Sequence, residues 1–153
     1  MVTAARRALI VLLYFGALSA LGGAALGVAT DGGGVPREYL RATPLESYLI
    51  PSLILGVVIG GTQLLGALSV HRRGARAHLV AATAGFGMIV WIFVELAIIG
   101  FDWLQAFYFA VGIAQLALVL VALGILRPSR RAEHTGQLAQ PRETTPTKVT
   151  HHG

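Results

Sequence analysis

Four apolar runs, each about 20 residues or longer, leave this chain almost no choice of fold. They cover residues 8–30, 48–70, 79–100 and 104–126. A helix rises about 1.5 Å per residue, so runs of this length cross a hydrocarbon core roughly 30 Å thick. Soluble core helices rarely stay apolar for so long, and membrane strands would alternate polar and apolar residues. The expected fold is all-α: a polytopic membrane protein built as a four-transmembrane-helix bundle. Residues 1–7 precede it, and residues 127–153 follow as a polar, basic tail that cannot bury a core.

Composition agrees. Of 153 residues, 55% are apolar and 12% charged, about half the charge usual for a soluble domain. The spans use nearly all the sequence, which leaves no room for a soluble catalytic domain, and no enzyme activity is expected. The net charge of +5 does not signal nucleic-acid binding, because the basic residues are sorted by loop. Arg6, Arg7, Arg72, Arg73, Arg76 and the basic residues after the fourth run fall on one side. Only Arg37 and Arg41 fall on the other, balanced by Asp31, Glu38, Glu46 and Asp102. The positive-inside rule then places both termini in the cytoplasm of a cell-membrane protein. Arg6-Arg7 before an apolar stretch also resembles a secretory signal, with Gly22-Gly23-Ala24 as a cleavage site, but the run is long for that and retention is expected.

No cysteine is present, which excludes disulfides, thiolate metal sites and iron–sulfur clusters. No span contains His, so a haem between helices is not expected, and His71 and His78 read as loop residues. No cofactor is expected. The partners are the lipid bilayer, anionic headgroups at the inner arginine loop, and a homo-oligomeric or membrane-protein partner.

Within the runs only one Asp, Glu, Lys, Arg or His occurs: Glu95. A lone acid in lipid is costly, and by default it marks function. The penalty for Asp at a helix centre is about 2.5–3.5 kcal/mol on the insertion scale. The eleven Leu, Ile, Phe and Val residues of its own run can carry the off-centre Glu95. Glu95 lies roughly 7 Å below Gly100 at the standard helical rise. Tyr108 and Ser52 sit at similar depth on neighbouring runs. These residues, with Gln115, form the candidate intramembrane polar site. Gln115 is nearer the middle and Gln63 lies in the inner half, so the polar groups are not expected to converge. Glu95 then has two readings. One is proton or cation handling in a small transporter or channel subunit. The other is a structural acid hydrogen-bonded to Tyr108, Ser52 or a backbone carbonyl. No basic partner lies in any span, which favours a protonated acid.

Helix faces supply the remaining expectations. Ser19, Gly23 and Gly27 repeat at four-residue spacing, as do Ser52, Gly56 and Gly60, with Gln63 continuing that stripe. Small residues let helices approach closely, within the bundle or across a homodimer. Gln105, Tyr108, Gly112, Gln115 and Val119 share one face; Ala84, Met88, Trp91 and Glu95 share another. Pro51 sits in a first turn, where proline is tolerated. Asp31–Pro36 reads as a flexible turn, and Tyr39, Tyr48 and Trp103 as an outer aromatic belt.

The stretches 48–56, 90–95 and 103–109 resemble a group of small four-helix integral membrane proteins of bacteria, of an actinobacterial type. The resemblance covers positions 45–126. It implies the four-helix topology, transfers no site, and leaves Gln as acceptable as Glu at position 95. The expectation is a membrane protein acting as a non-enzymatic structural or accessory subunit.

Overall fold

The computed structural model describes residues 2–124, and they are helical apart from short connections. Four helices are long and apolar enough to span a membrane: α1 (Val2–Thr30), α2 (Leu49–His71), α3 (Ala77–Ile99) and α4 (Trp103–Ala122). The expected tail falls outside the described residues, as do the last two residues of the fourth expected run. Each helix packs on its neighbours in sequence, and α4 closes the ring against α1. A 3-10 turn, Arg37–Ala42, crosses the loop between α1 and α2 and touches α3.

Local chemistry explains where each helix stops. The α1 end is closed by Gly32 N–H donating to the Gly27 carbonyl at 2.9 Å, with Asp31 left-handed at φ 48°. Aspartate tolerates that conformation better than most residues. Its carboxylate is also used: Oδ1 accepts from the Tyr48 N–H at 2.9 Å and Oδ2 pairs with Arg37. At the end of α2, Gly74 N–H reaches the Ser69 carbonyl at 3.0 Å, with Arg73 left-handed at φ 55°. Gly100, at φ 74°, ends α3. Two residues later Asp102 starts α4 with a capping box: Oδ1 accepts from Leu104 N–H at 2.8 Å, and the Gln105 side-chain oxygen accepts from Asp102 N–H at 3.2 Å.

Two features differ from expectation at the helix ends. The Asp31–Pro36 segment is a folded cap rather than a free turn, and Tyr48 is its anchor. Tyr48 is buried, and its phenol donates to the Pro36 carbonyl at 2.9 Å, so it is not a belt residue. Burial, with the Tyr39 phenol and Asp31 carboxylate beside it, pushes the Tyr48 phenol above tyrosine's ordinary 10.0. Arg6, expected only to set orientation, lies on α1 and donates to the carbonyls of Val70 and His71 at 3.0–3.3 Å. The His71 carbonyl is otherwise left open by the end of α2, whereas that of Val70 also accepts from Arg73 N–H at 3.3 Å; a cation there also suits the helix dipole.

The small-residue stripes pack α1 on α2. A methyl group at Gly56 would lie 2.8 Å from the Ala24 Cβ, and one at Gly27 would collide with the Ser52 hydroxyl. Gly27 and Gly56 are thus used in packing α1 on α2 within the chain. Pro51 lies in the first turn of α2, where its missing N–H is unneeded. One element had no sequence signal: Ile54–Gly60 of α2 takes wider π-helical bonding.

Large apolar side chains point away from the bundle, with Leu18 71% and Val57 72% exposed. The interior mixes alanines with a few larger side chains. Leu9, Leu13, Ala67, Ala81 and Ala84 form a fully buried layer toward the end that bears Arg6 and Arg72. Ala20, Ile59, Met88 and Trp91 form a second layer toward the glycine-loop end.

Candidate functional site

Between the two layers the bundle centre is polar. Gln63 of α2 and Gln115 of α4 are both fully buried and face each other. Gln63 Nε2 donates to Gln115 Oε1 at 3.0 Å, and Gln115 Nε2 donates to Gln63 Oε1 at 2.9 Å. This closes a ring of two reciprocal amide bonds. The second N–H of each amide finds a backbone carbonyl: Gln63 donates to Ala84 of α3 at 3.2 Å, and Gln115 to Leu12 of α1 at 3.2 Å. All four helices therefore meet at one set of hydrogen bonds. Glycine makes the space, since a methyl group at Gly16 would sit 2.8 Å from Gln63 Oε1. The expectation that Gln63 and Gln115 lie at different depths is thus corrected. Counting residues from the ends put Gln63 and Gln115 at different levels. The helices differ in length and start, and the π-helical stretch alters the rise of α2.

A second polar feature lies at the glycine-loop end. A cleft of about 630 Å³ opens between α1, α3 and α4 beneath the 32–39 loop. Glu95, Trp91 and Tyr108 line it, together with Gln105 and Ser19. Glu95 is half-buried. Its Oε1 accepts from the Trp91 indole N–H at 2.6 Å, one helical turn away. The acid's partner is therefore neither Tyr108, Ser52 nor a backbone carbonyl. An i, i+4 pair on one helix needs no tertiary rearrangement, so it outcompetes partners on other helices. Tyr108 stacks on Phe15 of α1, with ring centroids 6.1 Å apart.

The four candidate polar residues are distributed, with Gln115 apart from the others as expected. Glu95 and Tyr108 share the cleft. Ser52 lies on the seam of α1 and α2, against Gly27. Gln115 belongs to the central amide ring. The sequence reasoning passed over Gln105 as a site residue. It is 4% exposed, its Oε1 is held by the α4 cap, and its Nε2 has no hydrogen-bond partner among the described residues. Its signal was present as Asp102-Trp-Leu-Gln105, the spacing of a capping box. Among the described residues no group of three or more His, Asp or Glu side chains is placed to hold a metal ion.

Glu95 gives the cleft a half-buried carboxyl group, while the unpartnered Gln105 Nε2 is shielded within its wall. Among the described residues the cleft walls carry no Lys, Arg or His. No family model matches this chain, and neither a curated protein nor a solved structure does so.

Proposed function

We propose that this chain is a multi-pass protein of the cytoplasmic membrane, with both termini inside, acting as a non-enzymatic structural or accessory subunit. Three things support the membrane reading: the four apolar helices, the outward-facing large apolar side chains, and the one-sided arginines. Arg72, Arg73 and Arg76 then face the anionic inner leaflet, each contributing about 1 kcal/mol of attraction. A membrane-protein partner or a second copy would dock on the outward apolar faces.

One observation carries the structural reading over the channel reading. The centre of the bundle is filled by the Gln63–Gln115 ring, with every amide N–H used, above a layer of fully buried Leu and Ala. A conducting path along the axis would have to break this ring. Proton or cation handling at Glu95 remains the second reading, favoured by its position on an open cleft. Liposome reconstitution separates the two. The structural reading expects proton and cation flux no greater than in protein-free liposomes. Flux above that level, abolished by Glu95→Gln, would overturn it. Mild-detergent purification should bring down a stoichiometric membrane partner or a homo-oligomer; a clean monomer counts against an accessory role.

A further inference from the structure

The end of the bundle that bears Arg6 has a small pocket of its own, remote from the cleft at Glu95. It encloses about 240 Å³ where the start of α1, the end of α2 and the start of α3 meet. Its polar lining is Thr3, Arg6, Arg73 and His78. Arg6 donates from Nε and Nη2 to the Val70 and His71 carbonyls. Those bonds fix its guanidinium and leave Nη1 without a partner among the described residues. Arg73 occupies the left-handed turn that closes α2, at φ 55°. Ala77 and His78 bring the N-terminus of α3 to the same pocket, and the Arg76 side chain does not cap it. The N–H end of a helix favours an anion.

No carboxylate offsets these charges. Among the described residues the acids are Asp31, Glu38, Glu46, Glu95 and Asp102, and all belong to the glycine-loop side of the central amide ring. Two guanidinium groups and helix N–H groups are donors only, so their complement is a compact oxyanion with several acceptor oxygens. The level of the pocket selects among oxyanions. It lies at the ends of three spanning helices, where a bilayer presents lipid phosphates. We propose that this pocket is a discrete site for one phosphate group, presented by the headgroup of an anionic lipid. The general attraction of the arginine loop is thereby narrowed to one bound headgroup. Arg73 belongs to the site, whereas Arg72 and Arg76 do not line it and act only through their charge. The inference rests on the membrane-embedded reading, which alkaline carbonate extraction tests separately. Release into the soluble fraction would defeat that reading; a chain that stays with the membrane but binds no lipid would defeat only the site.

The binding test is native mass spectrometry of the full chain, released from neutral detergent micelles titrated with dioleoyl phosphatidylglycerol. A first lipid should bind saturably and more tightly than any later one. Dioleoylglycerol, which lacks the phosphate, should bind about tenfold more weakly or worse. Arg73→Asn removes one guanidinium and suits the left-handed backbone. Its affinity for the first lipid should fall about tenfold, as for one lost charge-assisted hydrogen bond. Arg72→Asn and Arg76→Gln remove the same charge outside the pocket and should stay within about threefold of the parent. Arg6 is kept in every variant because it also holds the end of α2. Inorganic phosphate at the lipid's concentration should not displace the lipid; displacement would assign the site to free phosphate and overturn the lipid source. Oleate binding as tightly as phosphatidylglycerol would overturn the phosphate class. Equal losses in Arg73→Asn and Arg72→Asn, or a first lipid no tighter than the rest, would reduce the pocket to diffuse attraction and overturn the site.

Discussion

Replacing Gln115 with Met keeps an unbranched side chain of similar length and removes the amide. Three of the four bonds at the bundle centre disappear: both halves of the Gln63–Gln115 ring and the bond to Leu12. Hydrogen bonds between membrane helices average about 0.6 kcal/mol, so their loss costs about 2 kcal/mol. A further cost follows, because Gln63 keeps its bond to Ala84 but strands its Oε1 and one N–H in a fully buried position. Stranding adds about 1–3 kcal/mol. Gln115→Met should therefore destabilise by about 3–5 kcal/mol. Gln63→Met, which strands Gln115 in the same way, should be similar. The double variant removes all four bonds and strands no side-chain amide. It should lose only about 2–3 kcal/mol, less than either single change. The assay is reversible unfolding in mixed micelles, read as a double-mutant cycle. Losses that add in the double variant would refute the argument, since additivity means that the two amides act independently.

Three further outcomes follow from the geometry. Gly56→Ala should destabilise by about 1–3 kcal/mol because its methyl would press on the Ala24 Cβ, whereas Gly61→Ala, with open space around it, should be neutral or slightly stabilising in the same unfolding assay. Glu95→Gln should change stability by less than about 1 kcal/mol, since an amide carbonyl still accepts from Trp91, while Glu95→Leu should red- or blue-shift Trp91 emission and lose that bond. For Tyr48 the folded state holds the phenolic proton more tightly than the unfolded chain, so its contribution is full below 10.0 and is lost as pH rises through the raised value. Melting curves across that range should show wild type converging on Tyr48→Phe at high pH; parallel curves would count against the buried-phenol account.

Helix number and approximate limits were legible because each depends on local composition. Apolar length fixes a span, and Gly100 and Asp102 mark a stop and a start. The close approach of α1 and α2 was legible as two stripes of small residues. What escaped was tertiary. Depth counted from helix ends cannot place Gln63 opposite Gln115, because the count assumes uniform rise and equal starting levels. Glu95 was readable as an exceptional residue, but its partner was sought on other helices, although Trp91 stood one turn away on its own. Tyr48 shows the same limit. An aromatic residue at a span boundary suits a membrane interface, and nothing in its neighbours announces a bond to Pro36 twelve residues back.

The amide ring also bears on how the bundle comes together. Its atoms belong to residues 12, 63, 84 and 115, one from each helix. No three helices complete it. With α4 absent, Gln63 keeps only the Ala84 carbonyl; with α1 absent, one N–H of Gln115 is left over. Every partial assembly therefore carries an unsatisfied amide at its centre, and only the last helix to dock removes it. Closure of the bundle is thereby made cooperative, and a chain that has mispaired or lost a helix is marked by a polar group that a quality-control factor could recognise.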